Sequence, residues 1–319
     1  MKSNKQGNFV ISLDFELYWG VSDSKSLNDY LDNLENVEEI IKKILKIFSD
    51  YSIEATWAYV GFLNFESIDD LRKFVSKIKK YNYTKGIKNN YDLLHLFSRK
   101  ESRYLFLPKI IDLLNESKGQ ELGCHNFSHL FSNNEGVSIN DFNTDIDLFI
   151  KRSNEKKYDK PNSYIFPRNE INEEHLGVLR EKDFKTYRGT ESSNIFKNNS
   201  LFSRVTRILD TVINLSGDNI YNLKFSKNGL LNIPSSRFLR PITKYKLINK
   251  LRLYRIVNGM RKAAESGKVY HLWWHPHNFG NDVDGNIHNL SLILKEYEKL
   301  KVNKGFKSMN MLNLTKNNN

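Results

Sequence analysis

The stretch Glu121-Leu-Gly-Cys-His-Asn-Phe-Ser-His129 places two histidines four residues apart, directly after a short apolar run. If the backbone turns helical there, His125 and His129 share one face, because side chains at i and i+4 are neighbours on a helix. Two imidazoles on one face form half of a metal site, and the ion then needs an oxygen ligand from elsewhere in the chain. A structural role for the pair is the alternative, since a chain with eight histidines can contain such a spacing by chance.

The segment Phe9–Gly20 is the best source of that oxygen ligand. It is an apolar run interrupted by two carboxylates two residues apart, Asp14 and Glu16. In a strand this spacing sends both side chains to the same side. An ionised carboxylate removed from water is unfavourable unless it is paired, so buried acids in an apolar strand indicate a partner. The acid pair would supply the oxygen ligand that the histidine pair needs. A metal ion held by the histidines would in turn be the partner that the buried acids need.

The composition indicates a globular protein. At 319 residues, with 39% hydrophobic and 13% aromatic residues, the chain can bury one large core or two modest ones. The single cysteine, Cys124, cannot form an intramolecular disulfide, which fits a reducing compartment, and we expect it to be a small core residue. No apolar stretch of about 18 residues predicts a transmembrane helix, and no signal-peptide cleavage site follows the N-terminus. We therefore predict a cytoplasmic protein.

The net charge of +12 could indicate a nucleic acid, an anionic membrane or a negatively charged substrate as partner. The lysines are spread along the chain among many asparagines, without a dense basic block or an aromatic-basic repeat. We therefore predict no nucleic-acid partner. The charge gives only weak support for an anionic substrate.

Strand patterns alternate with helical patterns along the whole chain. Apolar residues over Val37–Phe48 recur at helical spacing, and Ala55–Gly61 reads as the next strand. Seven or eight such units without a linker predict an α/β fold, a single-domain distorted (β/α) barrel of about seven strand-helix units. The domain is expected to span residues 1–319, with an insertion around 189–228 that contains a helix over Val205–Ile213.

Polar side chains follow the apolar runs at five places. Function in such a barrel lies where the strands end, because the carboxyl ends of parallel strands meet at one face. The five groups are Asp14 with Glu16, His125 with His129, Pro167-Arg168-Asn169, Tyr187-Arg188-Gly189 and His275-Pro-His277.

In this order the segments resemble the polysaccharide deacetylase family, also called the NodB-homology or carbohydrate esterase family 4 domain, along essentially the whole chain. Ser12-Leu-Asp-Phe-Glu16 is similar to an Asp-x-Glu variant of the first motif. His125-Asn-Phe-Ser-His129 matches the spacing of the His-(Ser/Thr)-x-x-His motif, with Asn126 in place of a hydroxyl residue. His271-Leu-Trp-Trp-His275-Pro is similar to the last motif.

The resemblance implies a role for each matched residue. Taken in order, Asp14 is the catalytic base and Glu16 is a metal ligand with His125 and His129, although the inserted residue leaves the division between the two acids open. His275 would protonate the leaving group, and the neighbouring histidines 271 and 277 are its competitors.

An arginine next to a proline orients the base in the third motif of the family. Phe166-Pro-Arg168 is similar, with the order of the pair reversed. Either Arg168 or Arg188 would keep Asp14 ionised through a charge-assisted hydrogen bond. We assign Arg168 to catalysis and Arg188 to substrate binding. Trp19, which precedes Gly20 at a predicted tight turn, is expected to stack on a sugar.

These residues predict one divalent metal ion, zinc first, with cobalt, nickel or iron(II) as alternatives. Two histidines and a carboxylate leave an open position for water and lower its pKa to about 7. The leading hypothesis is a metal-dependent deacetylase acting on an N-acetylated sugar, on a nucleotide-linked or lipid-linked glycan precursor. The alternatives are an amidohydrolase acting on a small cyclic amide or ureide, and a catalytically silent carbohydrate-binding protein with the same fold.

Overall fold

The computed structural model describes residues 6–78, 83–84, 89–191, 206 and 209–316. The strands of these residues form one sheet. Their bounds are Asn8–Phe15 (β1), Ala55–Tyr59 (β2), Gln120–Cys124 (β3), Ser163–Tyr164 (β4), Thr186–Tyr187 (β5), Lys224–Phe225 (β6), Leu231–Asn232 (β7), Arg237–Phe238 (β8), Val269–Trp274 (β9) and Lys307–Ser308 (β10).

The α-helices of the described part lie between these strands and after β10. Their bounds are Leu31–Leu34 (α1), Val37–Tyr51 (α2), Ile68–Val75 (α3), Asn90–Leu93 (α4), Ser102–Leu105 (α5), Pro108–Glu116 (α6), Ile139–Glu155 (α7), Glu173–Glu181 (α8), Lys246–Ser266 (α9), Val283–Lys304 (α10) and Met311–Thr315 (α11). Short 3-10 helices follow β1, β2, β4 and β9, at Leu17–Gly20, Gly61–Asn64, Pro167–Asn169 and Pro276–Asp282.

The strand order is β6-β7-β5-β4-β3-β2-β1-β9-β8, and β10 also pairs with β1. All pairings between these strands are parallel except that of β6 with β7. The sheet curls into a distorted (β/α) barrel, so the predicted fold class is confirmed. The segment between β7 and β8 spans the open side, where Ser235 N–H donates to Gly189 O at 2.9 Å and Ser236 N–H to His271 O at 2.8 Å.

The helices form where the sequence periodicity predicts them. In α2 the buried residues recur every three to four positions and face the sheet, and Ser52 ends the helix in the left-handed conformation. In α7 the Ser138 hydroxyl accepts the Asp141 N–H, while the Asp141 carboxylate accepts the Ser138 N–H, which is a capping box. None of the described helices has the length and apolarity needed to cross a membrane.

The two faces of β1 explain where the barrel changes from apolar to polar. Its outward residues pack beneath the helices in the main core: Phe9, Ile11, Leu13 and Phe15. Its inward residues begin with Val10, which joins an apolar layer with Met309 and Met311 near the C-terminal helix. Ser12 and Asp14 follow on the same inner side, because side chains alternate along a strand. The polar interior therefore begins towards the carboxyl end of β1.

The predicted insertion at 189–228 is only partly described. Residues 192–205 and 207–208, which include three of the nine residues of the predicted helix over Val205–Ile213, lie outside the described residues. The described remainder includes β6 at the edge of the sheet.

Candidate functional site

The loop His125–His129 follows β3 and is not helical, in contrast to the expectation from its spacing. Asn126 and His129 have φ angles of 63° and 57°, in the left-handed region. The buried carboxylate of Asp145, on α7, accepts the N–H of Phe127 at 2.6 Å and thereby fixes the loop to the helix layer. The two imidazoles still converge, because the turn and not a helical face directs them into the barrel.

Both imidazoles of this loop meet the same oxygen of Glu16. The distance to Glu16 Oε2 is 3.2 Å from His125 Nε2 and 3.1 Å from His129 Nε2, and all three side chains are buried. Atoms bound about 2.0–2.1 Å from a tetrahedral ion lie roughly 3.3 Å apart, so the observed spacing fits ligands of one metal.

The hydrogen bond at the far nitrogen of His125 supports the same conclusion. His125 Nδ1 lies 2.8 Å from Ile165 O, and since a carbonyl only accepts, Nδ1 carries the proton. In the neutral ring Nε2 then directs a lone pair at the Glu16 carboxylate. Two electron-rich atoms at this separation call for a cation between them, which is the arrangement of a metal-binding histidine oriented by a backbone carbonyl.

The charge states of Glu16 and His129 suit a metal as well. Burial by itself raises the pKa of Glu16, but the facing His275 and His129 outweigh it and hold that pKa well below its ordinary value. Burial lowers the pKa of His129 despite the neighbouring Glu16 carboxylate. Metal ligands must be ionised carboxylates and neutral imidazoles, and these are the forms that the surroundings favour.

Asp14 is held separately, by Arg188. The guanidinium spans the barrel from the end of β5 and donates to both carboxylate oxygens, Nη1 to Oδ1 at 2.6 Å and Nη2 to Oδ2 at 2.7 Å. The Arg188 side chain is 0% exposed. Burial raises the pKa of Asp14, but the charge and hydrogen bonds of Arg188, with smaller contributions from nearby histidines, lower it below its usual value. Asp14 is therefore ionised at neutral pH.

The remaining donors of Arg188 are also occupied. Asn169 Oδ1 accepts from Nε at 3.2 Å and from Nη2 at 2.9 Å, and Ser12 Oγ accepts from Nη1 at 3.1 Å. The Trp273 ring covers the guanidinium, with its centroid 4.2 Å from Cζ. The guanidinium of Arg188 is thus fixed in one orientation towards Asp14.

His271 completes this arrangement from β9. Its Nδ1 donates to Ile233 O at 3.1 Å, and its Nε2 accepts from Ser12 Oγ at 2.8 Å. Burial, followed by the positive charge of Arg188, lowers the pKa of His271 to about 3. A neutral, fully buried imidazole at this place supports Ser12 and is not in a position to exchange protons with a substrate.

His275 faces both acids from the end of β9. Its Nε2 lies 3.3 Å from Glu16 Oε1 and 3.8 Å from Asp14 Oδ2, and 21% of its side chain is exposed. The Asn278 amide donates to its Nδ1 at 3.2 Å, which places the proton of the neutral ring on Nε2. His275 therefore presents an N–H to the site and also touches solvent.

His277 lies behind His275. The two rings stack with centroids 5.2 Å apart, and burial, then the charge of His275, lowers the pKa of His277 to about 3. Ligand atoms of Glu16, His275 and His277 lie within 4.8 Å of one another, as do those of Glu16, His125 and His129. Among the described residues these two groups share Glu16 as their only carboxylate.

Arg168 lies outside the Asp14 network. Arg168 and Asn169 both have a φ angle of 56°, and this pair of left-handed residues turns Asn169 inwards. The Arg168 side chain is 40% exposed, pairs with Asp23 and lies over the Phe131 ring. Of the two arginines that could keep Asp14 ionised, Arg188 and not Arg168 contacts it.

Trp19 is a core residue in position. Its side chain is 0% exposed, its Nε1 donates to Leu105 O at 2.9 Å, and its ring meets Phe62 edge-on at 5.1 Å. The short helix Leu17–Gly20 turns this ring beneath the surface. It offers no face on which a sugar could stack, in contrast to the expectation.

Two residues of the site, Ser12 and Asn169, were named within sequence motifs but were given no role from the sequence. Ser12 was within reach, because it lies two residues before Asp14 and a strand directs both to the same side. Asn169 gave no comparable signal, because its inward direction depends on the left-handed turn at residues 168–169.

Comparison with known proteins gives matches among solved structures alone, since no family model and no curated protein matches the chain. A Mycobacterium smegmatis protein provisionally described as a polysaccharide deacetylase has a TM-score of 0.59 at 13% identity, over 98% of this chain and 90% of that one. Puue allantoinase has a TM-score of 0.57 at 11% identity, over 99% and 91%. A GH57-type branching enzyme from Pyrococcus horikoshii has a TM-score of 0.55 at 11% identity, over 98% and 70%.

At these identities the likeness concerns the fold. The three similar proteins carry different functional names, so the shared barrel does not by itself select a reaction. The resemblance to polysaccharide deacetylases seen in the motifs therefore holds at the level of the fold, which is that of a distorted deacetylase-like barrel.

Proposed function

We propose that this protein is a metal-dependent hydrolase that removes the acetyl group from an N-acetylated sugar or glycan precursor. The observation that carries the proposal is the convergence of two imidazole nitrogens on one Glu16 oxygen at 3.1 and 3.2 Å, beside a second, separately held carboxylate. Amide hydrolysis needs an activated water, a proton acceptor and a proton donor. Each of these needs has a candidate within the site.

Glu16, His125 and His129 would hold one divalent ion, with zinc first and cobalt, nickel or iron(II) as alternatives. When bound, such an ion supplies Lewis acidity and lowers the pKa of a water ligand. The contacts support Glu16 as the ligand of the acid pair, because its carboxylate meets both imidazoles, whereas the Asp14 carboxylate meets Arg188.

Asp14 would be the general base. Arg188 keeps the carboxylate ionised and fixes its plane, and each oxygen retains lone-pair capacity beyond the bond to the guanidinium. The base can therefore accept a proton without leaving its place. Arg188 is a positioning residue in this scheme, supported by Ser12 and Asn169.

His275 would protonate the departing amine. Its Nε2–H points to the acids, its Nδ1 is tied to Asn278, and its side chain reaches solvent. The other two histidines of this region are buried and neutral, with pKa values of about 3. Of the three, His275 is the one placed to deliver a proton and to be reloaded.

The substrate is expected to be a nucleotide-linked or lipid-linked acetamido sugar in the cytoplasm. The same metal ligands, base and acid could also hydrolyse a small cyclic amide, and an allantoinase has a similar fold. Both kinds of substrate should therefore be compared. Acetate release should be measured with nucleotide-linked, lipid-linked and free acetamido sugars, with chitin and peptidoglycan, and with cyclic ureides. We expect release from the linked precursors. Turnover of polymers or ureides alone would reject the precursor proposal, and sugar binding without any turnover would indicate a silent binding protein.

Metal content should depend on the loop histidines. Protein purified without chelator is expected to contain about one divalent ion per chain, as measured by elemental mass spectrometry. His125→Ala and His129→Ala should lose it, because each removes one of three ligands. His277→Ala should retain the ion, and the exposed His288 provides a matched control in His288→Ala. If His277→Ala is the one variant that loses the ion, the metal site is formed by Glu16, His275 and His277 instead.

Replacing Arg188 should damage both activity and stability. Arg188→Met leaves the Asp14 charge buried without a partner, which is expected to cost about 3–5 kcal/mol in the free energy of unfolding. It should also lower kcat/KM by at least roughly 10²-fold, because the base loses its orientation. Arg168→Met is the matched comparison, with an exposed ion pair worth about 0–1 kcal/mol. Thermal denaturation and kinetics that rank the two variants the other way round would make Arg168, and not Arg188, the residue that positions Asp14.

Replacing His275 should spare the metal and impair the chemistry. His275→Ala is expected to keep its ion and its melting temperature but to lose roughly 10²- to 10⁴-fold in kcat, the range for a positioned proton donor. The loss should be smaller with an activated ester, whose leaving group needs little protonation. Full amide-cleaving activity in the variant would place the acid elsewhere, and loss of the ion would make His275 a ligand.

A further inference from the structure

A cavity lined by three arginines lies beside the candidate site. It has a volume of about 30 Å³ and is open to solvent. Its walls are β8 and the segment that follows it, Thr211, the first half of α9, and one residue of α10. The residues that matter here are Phe238, Arg240, Asn249, Arg252 and Asn289.

The cavity reaches the candidate site through Phe238. Phe238 pairs in register with Trp273 of β9, and the pairing continues as Leu239 N–H donates to Trp273 O at 2.8 Å. The Phe238 ring lies 5.7 Å from the ring of His275, centroid to centroid. The Arg240 guanidinium lies 5.8 Å from the centroid of the same Phe238 ring. The Phe238 ring is therefore a common neighbour of the proposed proton donor and of Arg240.

The guanidiniums that line this cavity are short of acidic partners. Arg237, at one wall, shares Asp210 with Arg255, at 3.2 and 2.9 Å. Arg240, by contrast, forms no hydrogen bond or ion pair with any described residue, and Arg252 makes a single long bond of 3.4 Å to Thr211 Oγ1.

The segments outside the described residues cannot supply an acidic partner for Arg240 or Arg252. The segments that the structure leaves out contain no aspartate or glutamate. The nearby Glu191 does not compensate either, because burial raises its pKa to about 8 and leaves it mostly protonated at neutral pH. Arg240 itself is exposed to solvent. Positive charge therefore gathers around the cavity without a balancing anion.

We propose that this cavity binds the phosphate of a phosphate- or diphosphate-linked acetamido sugar, with Arg240 and Arg252 as its ligands. The inference rests on the proposed function and narrows its substrate class. Guanidinium forks match phosphate oxygens in pairs, and the cavity is open to solvent, so the sugar can extend from it. The sugar would then lie over Phe238, with its acetamido group towards His275.

Anion binding can be tested without any turnover. Binding of inorganic pyrophosphate should be measured by calorimetry at low salt for the wild-type protein, Arg240→Gln, Arg252→Gln and the double variant. The control is Lys250→Gln, which removes the same charge from an exposed position on α9. We expect the double variant to bind about 10- to 100-fold more weakly, because each lost charged hydrogen bond weakens binding, while the control binds as the wild type does. Absence of binding to the wild type, or equal binding to the double variant, overturns the proposal.

Kinetics provide the second readout and separate this inference from the proposed function. For an acetamido sugar 1-phosphate and the same sugar without phosphate, the ratio of kcat/KM should favour the phosphate. The double variant should reduce that ratio by at least about tenfold, mainly through KM, and Lys250→Gln should not. If this ratio of kcat/KM values is the same in all variants, the phosphate site is rejected, while the proposed deacetylase activity is unaffected. Arginine-dependent pyrophosphate binding without acetate release from any sugar would keep the anion site and reject the deacetylase.

The carrier of the phosphate is resolved by two further substrates. A nucleoside-diphosphate-linked acetamido sugar in solution and a polyprenyl-diphosphate-linked one in detergent micelles present the same anion. Both should lose kcat/KM in the double variant, and the one with the higher value in the wild type identifies the natural carrier. If neither is affected by the double variant, the proposal fails. Melting temperatures verify folding, since neither Arg240 nor Arg252 forms an ion pair with a residue in the described part of the chain.

Discussion

The interaction on which this site depends is the buried ion pair between Asp14 and Arg188. It joins β1 to the end of β5 across the interior of the barrel, between residues that are 174 positions apart in the sequence. A charge in this place needs a partner, because an unpaired buried ion would cost several kcal/mol, a large part of the stability of a typical domain. Ser12, Asn169 and Trp273 occupy the rest of the guanidinium, so the pair defines one arrangement of the strand ends.

The pair also separates two carboxylates that lie two residues apart. Asp14 is neutralised by a permanent cation, while Glu16 is surrounded by imidazoles, whose charge depends on pH and on a bound ion. Two like charges in one cavity would otherwise raise each other's pKa. With separate counter-charges both remain ionised, and each can have a different task, the one as a base and the other as a ligand. Without Arg188, the histidines around Glu16 would not be enough to keep both carboxylates ionised.

The comparisons show a barrel that is shared by proteins with different functional names, so an activity must be argued from the residues at the strand ends. Here the strand-end residues divide into three groups by charge. The imidazoles around Glu16 can receive a cation, the Asp14 pair is balanced, and Arg240 and Arg252 have no ion pair among the described residues. The net charge of +12, diffuse in the sequence, thus includes a local excess beside the site. Such an excess favours an anionic group on the substrate.

The sequence by itself determined the strand-helix alternation, the barrel class, and the strand ends from which Asp14, Glu16, His125, His129 and His275 project. These are local properties, since apolar periodicity and the position of a polar residue after a strand are written in consecutive residues. The tertiary structure alone decided which arginine meets Asp14, that Trp19 is enclosed, and that the histidine loop is a turn and not a helix. Those outcomes depend on left-handed residues at 126, 129, 168 and 169 and on contacts between distant strands. Left-handed residues and contacts between distant strands leave no periodic pattern in the sequence. A single φ angle, for example, can reverse the direction of a side chain without changing that pattern.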